Sequence, residues 1–115
     1  MADVSGTVKG VRRNGTTTVV ALAGEVDLHH SPDVHKALVV ACQEQPKKLV
    51  VNLESVSYLD SSGIGTLVEV FRRVNAFGGK LVLCGLNDRV HSLFEITKLD
   101  TFFKICGTEA EALSA

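Results

Sequence analysis

The run Leu49-Val50-Val51-Asn52-Leu53, then residues 54–60, then Ser61-Ser62-Gly63-Ile64-Gly65 decides how this chain folds. Its first five residues are a short β-branched run between polar flanks, the pattern of a buried strand. Residues 54–60 are polar enough to read as a loop. From Ile64 onward the apolar residues Ile64, Leu67, Val68, Phe71 and Val74 recur at intervals of three and four, with Glu69, Arg72 and Arg73 off that stripe. This is the face of an amphipathic helix, and Gly78-Gly79 ends it. A strand therefore feeds a helix through a turn rich in serine and glycine.

Working outward, residues 80–84 form a second short apolar strand, and Asn87 is placed to cap a helix with the stripe Val90, Leu93 and Phe94. Residues 102–105 read as a further strand. Thr108-Glu109-Ala110-Glu111 has capping-box spacing and opens a terminal helical turn or two. Towards the N-terminus, Asn14-Gly15 suits a tight turn with positive φ between residues 7–13 and 16–22, which makes a β-hairpin. Residues 25–30 read as a loop. Ser31-Pro32-Asp33 supplies an N-cap, a first-turn proline and an acid for a helix whose apolar positions, Val34, Ala37, Leu38, Ala41 and Cys42, keep the spacing of one face, with Pro46 closing it. The order β-β-α-β-α-β-α-β-α implies an α/β fold: a mixed, mostly parallel sheet opened by an antiparallel hairpin, with about four helices.

The 115 residues suit one domain, taken as 1–115 with a core over about 8–113. A hydrophobic content of 45% and a mean hydropathy of +0.21 argue against disorder. Twelve basic against thirteen acidic residues leave a formal charge of −1, which gives no pull towards nucleic acid. The longest apolar stretch, 37–42, is far too short to span a bilayer, and charged residues interrupt the N-terminal region, so neither a membrane anchor nor a secretion signal is expected. Cys42, Cys84 and Cys106 are odd in number and lack Cys-x-x-Cys spacing, so they read as reduced core residues of a cytoplasmic protein, without a disulfide framework or a zinc site. Adjacent His29 and His30 point apart and lack a third ligand at useful spacing, and no cofactor is called for.

Chemistry concentrates at Asp60-Ser61-Ser62-Gly63. A helix start presents backbone N–H groups without intrahelical acceptors, so it attracts anions, and a phosphate on Ser61 would meet those donors and the positive end of the helix dipole. Gly63 and Gly65 keep the approach free of bulk. The plainer reading is that Asp60 or Ser61 only caps the helix and the glycines allow close packing on the sheet. A serine hydrolase would need a positioned base, and no histidine motif or Gly-x-Ser-x-Gly provides one.

The stretch Leu59-Asp60-Ser61-Ser62-Gly63-Ile64-Gly65-Thr66-Leu67 resembles the signature of STAS-domain anti-sigma factor antagonists. The resemblance extends to Gly24-Glu25-Val26-Asp27 after the hairpin, to Val50-Val51-Asn52-Leu53, to Gly79-Lys80-Leu81-Val82-Leu83-Cys84 and to the closing elements, about residues 8–113 in order. It implies a non-enzymatic switch with Ser61 as phosphoacceptor. Asp60, Ser62, Gly63, Ile64 and Gly65 then form the switch loop, and Glu25 and Asp27 belong to the partner-binding surface. The implied partners are an anti-sigma factor that is itself a serine kinase, held by the unphosphorylated form and released by the phosphorylated one, and a serine phosphatase that reverses the modification. A monomer forming heterocomplexes is the expected state. The alternative within the same family is a constitutive STAS subunit of a transport or scaffold complex, indifferent to phosphorylation.

Overall fold

The computed structural model describes residues 6–115. Strands β1 (Val8–Asn14) and β2 (Thr17–Val26) form the antiparallel hairpin. Asn14 pairs with Thr17, and the left-handed conformation falls on Gly15 (φ 64°) and not on Asn14. Helix α1 (Ser31–Gln43), β3 (Lys48–Leu59), α2 (Ser61–Ala76), β4 (Lys80–Cys84), α3 (Asp88–Ile96), β5 (Lys104–Cys106) and α4 (Glu109–Ser114) follow. The five strands lie in sequence order, with every pair after the hairpin parallel, as the βαβ alternation requires.

Alternation along the strands splits the core between two faces. Leu49, Val51 and Leu53 of β3, Leu81 and Leu83 of β4, and Val20 and Leu22 of β2 pack with Val34, Leu38, Leu67, Val70 and Phe94 beneath α1, α2 and α3. Val19, Val50, Val82 and Cys84 point the other way and are covered by Ala112 of α4. Both faces are thus buried there, which is why residues 49–51 of β3 and 81–84 of β4 are continuous apolar runs. In α2 the buried centre is Leu67, Val70 and Val74, with Gly63 and Thr66 also inside, while Ile64, Val68 and Phe71 flank it half-buried. The helix stops where Gly78 and Gly79 donate their N–H groups to Asn75 and Val74.

Four local expectations are corrected. Residues 54–59 are not loop: they continue β3 beside residues 23–26 of β2. Two register shifts give β3 extra residues there, and Asn52 Oδ1 accepts the Glu54 N–H (2.8 Å) at the first of them, so polar residues remain in the strand. Glu25 is likewise strand, opposite Tyr58, and not part of the following loop. Ser31 does not cap α1; the cap position is His30, and Ser31 is the first helical residue, ahead of Pro32. The last strand is Lys104–Cys106, because Phe102 and Phe103 lie in the preceding turn. There Phe103 is buried against Phe94 and Phe71, with ring centroids 5.7 and 5.8 Å away. The Asn87 cap on the Val90 N–H and the Thr108–Glu111 capping box are both present.

Phe94 is fully buried where α3 meets the sheet. Phe94→Ala is expected to lower stability by about 3–5 kcal/mol, read as a drop in the urea midpoint with an unchanged slope.

Candidate functional site

The junction of β3 and α2 is built around Asp60. Its backbone is extended (φ −110°, ψ −171°), and its N–H donates to the carbonyl of Val26 at the end of β2 (3.3 Å). One carboxylate oxygen accepts the N–H groups of Ser62 (2.9 Å) and Gly63 (3.3 Å) and the hydroxyl of Ser62 (2.5 Å). The other oxygen accepts the N–H of Leu28 (3.2 Å) across the gap to the β2–α1 loop. The Ser62 hydroxyl above all, then the three N–H donors, hold the Asp60 carboxyl below the usual carboxylate range.

The two serines are thereby distinguished. Ser62 is half-buried and its hydroxyl is committed to the cap. Ser61 is the first helical residue and is exposed, and among the described residues nothing hydrogen-bonds its hydroxyl. Asp60 is the capping residue, so Ser61 is not needed for that task.

Gly63 faces inward, as the plainer reading of close packing on the sheet has it, and does not clear the outer approach. A Cβ there would come within 2.5 Å of Leu59 Cδ1 and 2.8 Å of the Val26 carbonyl oxygen, so glycine is required for α2 to sit down on the ends of β2 and β3. Gly65 is exposed, with open space where a Cβ would be, and does leave the outer approach clear. Ile64 donates its N–H to the Asp60 carbonyl (3.0 Å) and packs half-buried on the core.

The β2–α1 loop comes alongside through Asp27. Its carboxylate accepts the His30 N–H (2.9 Å) and contacts His30 Nδ1 (2.8 Å), while its carbonyl accepts the N–H groups of His30 and Ser31 (3.1 and 2.7 Å). Asp27 therefore organises the start of α1 from outside the helix, and the His30 N–H is the main cause of its lowered pKa. Glu25 is exposed one residue before the end of β2. Asp27, Leu28, His29 and Asp60 line a shallow, open depression of about 510 Å³. Leu28, 77% exposed at its rim, is a site residue that sequence reasoning missed; an isolated leucine between Asp27 and His29 is the only signal it left. Tyr58, Leu59, Arg89, Val90, Ser92, Leu93 and Ile96 form an apolar groove of about 330 Å³, also unanticipated.

Chemically the junction offers an exposed hydroxyl at a helix start, one carboxylate already saturated with donors, and apolar surface nearby. Among the described residues no hydrogen bond joins Ser61 or Ser62 to a histidine, and no group of three or more His, Cys, Asp or Glu side chains is placed to hold a metal ion. No helix in the described residues is long and apolar enough to cross a membrane.

A five-stranded mixed sheet opened by a hairpin, with the capped β3–α2 junction at its centre, defines a STAS-type α/β fold. The chain belongs to the STAS domain family, whose model matches residues 9–112. It is 39% identical over 92 residues to the anti-sigma-B factor antagonist of Listeria monocytogenes, covering 80% of this chain and 81% of that protein. Among solved structures, an anti-sigma factor antagonist from Mycobacterium paratuberculosis superposes with a TM-score of 0.83 at 24% identity over 90% of this chain and 88% of that one. The Bacillus cell fate determinant SpoIIAA in its phosphorylated form gives 0.70 at 24% over 91% and 96%.

Two outcomes are expected of the junction itself. Gly63→Ala forces Val26 and Leu59 apart and should destabilise the fold by about 1–3 kcal/mol, measured by chemical denaturation. Because Asp60 stays ionised in the folded protein to lower pH than in the unfolded chain, its contribution is fully present above about pH 4 and is lost as pH falls through its lowered folded value. Asp60→Asn should therefore be less stable than wild type at pH 7, with the gap narrowing in acid; a gap independent of pH down to 2 would show that the carboxylate charge is immaterial.

Proposed function

We propose that this chain is an anti-sigma factor antagonist that works by partner switching, with Ser61 as the phosphoacceptor. The observation that carries this reading is the division of labour at the start of α2: Asp60 caps, Ser62 is tied to Asp60, and Ser61 alone presents an exposed hydroxyl that hydrogen-bonds to nothing among the described residues. Membership of the STAS family and kinship with a curated anti-sigma-B factor antagonist support it, as does the existence of a phosphorylated form of SpoIIAA on the same fold.

In this reading the protein is a substrate of another enzyme, not a catalyst. The unphosphorylated form binds an anti-sigma factor that is also a serine kinase, using the surface around Ser61, Gly65, Asp27, Leu28 and Glu25. Phosphorylation adds about −1.5 to −2 charges at one point of that surface, and a contact closed over Ser61 loses both fit and complementarity. A loss of about 4 kcal/mol would weaken binding a thousandfold. A serine phosphatase removes the group and restores binding. Ile64 and Gly63 hold the helix start on the sheet, so the charge arrives on a rigid element and acts at the interface.

The deciding experiment is site-resolved mass spectrometry of the protein from its native host beside Ser61→Ala and Ser62→Ala variants. Phosphate is expected on Ser61, absent from Ser61→Ala and retained in Ser62→Ala, and Ser61→Ala should hold its kinase partner in the presence of ATP. Phosphate on Ser62 alone, or none under any growth condition, would overturn the assignment.

A further inference from the structure

Cys84 and Cys106 are far apart in sequence, but the fold makes them neighbours. They end β4 and β5 as register partners, in one row with Asn52 of β3. Paired residues of a parallel ladder point to the same face, and Cys106 packs against the small cluster of Val19, Val50, Val82, Cys84 and Ala112. Adjacent strands run about 4.8 Å apart, inside the range of roughly 4.4–6.8 Å over which two Cα atoms are bridged by a disulfide. Cys42 lies on α1, across the sheet in the other core cluster.

We propose that Cys84 and Cys106 form an oxidation site, closing an intramolecular disulfide that ties the edge strand β5 to β4 beneath α4. The two thiols have different roles. Cys106 is only partly buried, on a three-residue strand at the edge of the sheet, so an oxidant reaches it first. Cys84 is fully buried, and burial, with Glu109 and Cys106 adding, pushes its thiol up to about 11, so it stays protonated near neutral pH and resolves rather than initiates. With hydrogen peroxide as oxidant, the Cys106 sulfur attacks one peroxide oxygen; the O–O bond breaks, water leaves and a sulfenic acid remains. The Cys84 sulfur then attacks the Cys106 sulfur, the S–S bond forms, the S–O bond breaks, and hydroxide leaves with the Cys84 proton as a second water. Two thiols are oxidised by two electrons and one peroxide is reduced to two waters.

The test treats the folded wild-type protein with hydrogen peroxide, unfolds it, alkylates remaining thiols and maps a non-reduced digest by mass spectrometry. The expected product is a peptide pair joined through Cys84 and Cys106 in a monomeric chain, reversed by dithiothreitol, with Cys42 alkylated. It should form equally in Cys42→Ser and be absent from Cys106→Ser. Sulfinic acid on Cys106 with Cys84 still a thiol, a bridge to Cys42 or between chains, or no thiol loss would each overturn the proposal. The wild-type digest alone decides the pairing, so a poorly folding variant leaves the result intact.

Discussion

The two oxygens of the Asp60 carboxylate face different parts of the chain, and the geometry of the exposed end of the sheet depends on that. One oxygen satisfies N–H groups of the first turn of α2, and the other holds the N–H of Leu28 in the β2–α1 loop. A single side chain therefore fixes the helix start, the serine that follows it and the neighbouring loop as one surface. Serine or asparagine could cap α2 equally well as far as helix stability goes. The second contact, made by a second acceptor oxygen of the same residue, is what a hydroxyl would lack.

Beneath this surface the constraint is close packing. Gly63 sets α2 against the Val26 carbonyl, and the N–H of Asp60 bonds to that same Val26 oxygen. The end of β2 thus receives both the capping residue and the helix it caps. Extra residues in β3 carry its end up beside β2, so that Leu59 stays in the core while Asp60 emerges at the rim. The same extension carries Tyr58 to the surface at the edge of the α3 groove.

Much of this was legible because the local signals agree with the fold. The stripe of α2, the Asn87 cap and the Thr108 capping box are set by residues within one or two turns of each other, and they appear where the spacing puts them. What was not legible depended on contacts distant in sequence. Polar Ser55 and Ser57 look like loop until β2 lies alongside and accepts them as strand. Ser31 looks like a cap until Asp27, folded back from the preceding turn, binds the N–H groups at the start of α1. At Gly63 a cleared approach and close packing on the sheet both fit the sequence, and the sheet end beneath it decides for packing. For the site, the motif marked the Asp60-Ser61-Ser62 segment and the resemblance pointed to Ser61; legible only in the fold are the tie of the Ser62 hydroxyl to Asp60 and the exposure of Ser61.

The same geometry bears on how the proposed switch acts. A phosphate on Ser61 would gain roughly 0.3–1 kcal/mol from the dipole at an exposed helix start. Against this stands the carboxylate of Asp60, whose like charge repels a doubly charged phosphate on the neighbouring residue. Donors already bonded to Asp60 spread its charge, and salt screens what remains. The dipole and the carboxylate act in opposite directions, so a phosphate there would shift the stability of the fold less than either alone. In the proposed switch the weight of the phosphate would therefore fall on what closes over it. Its added charge would weigh more on a bound complex, where desolvation is costly, than on the free protein, where water and salt screen it.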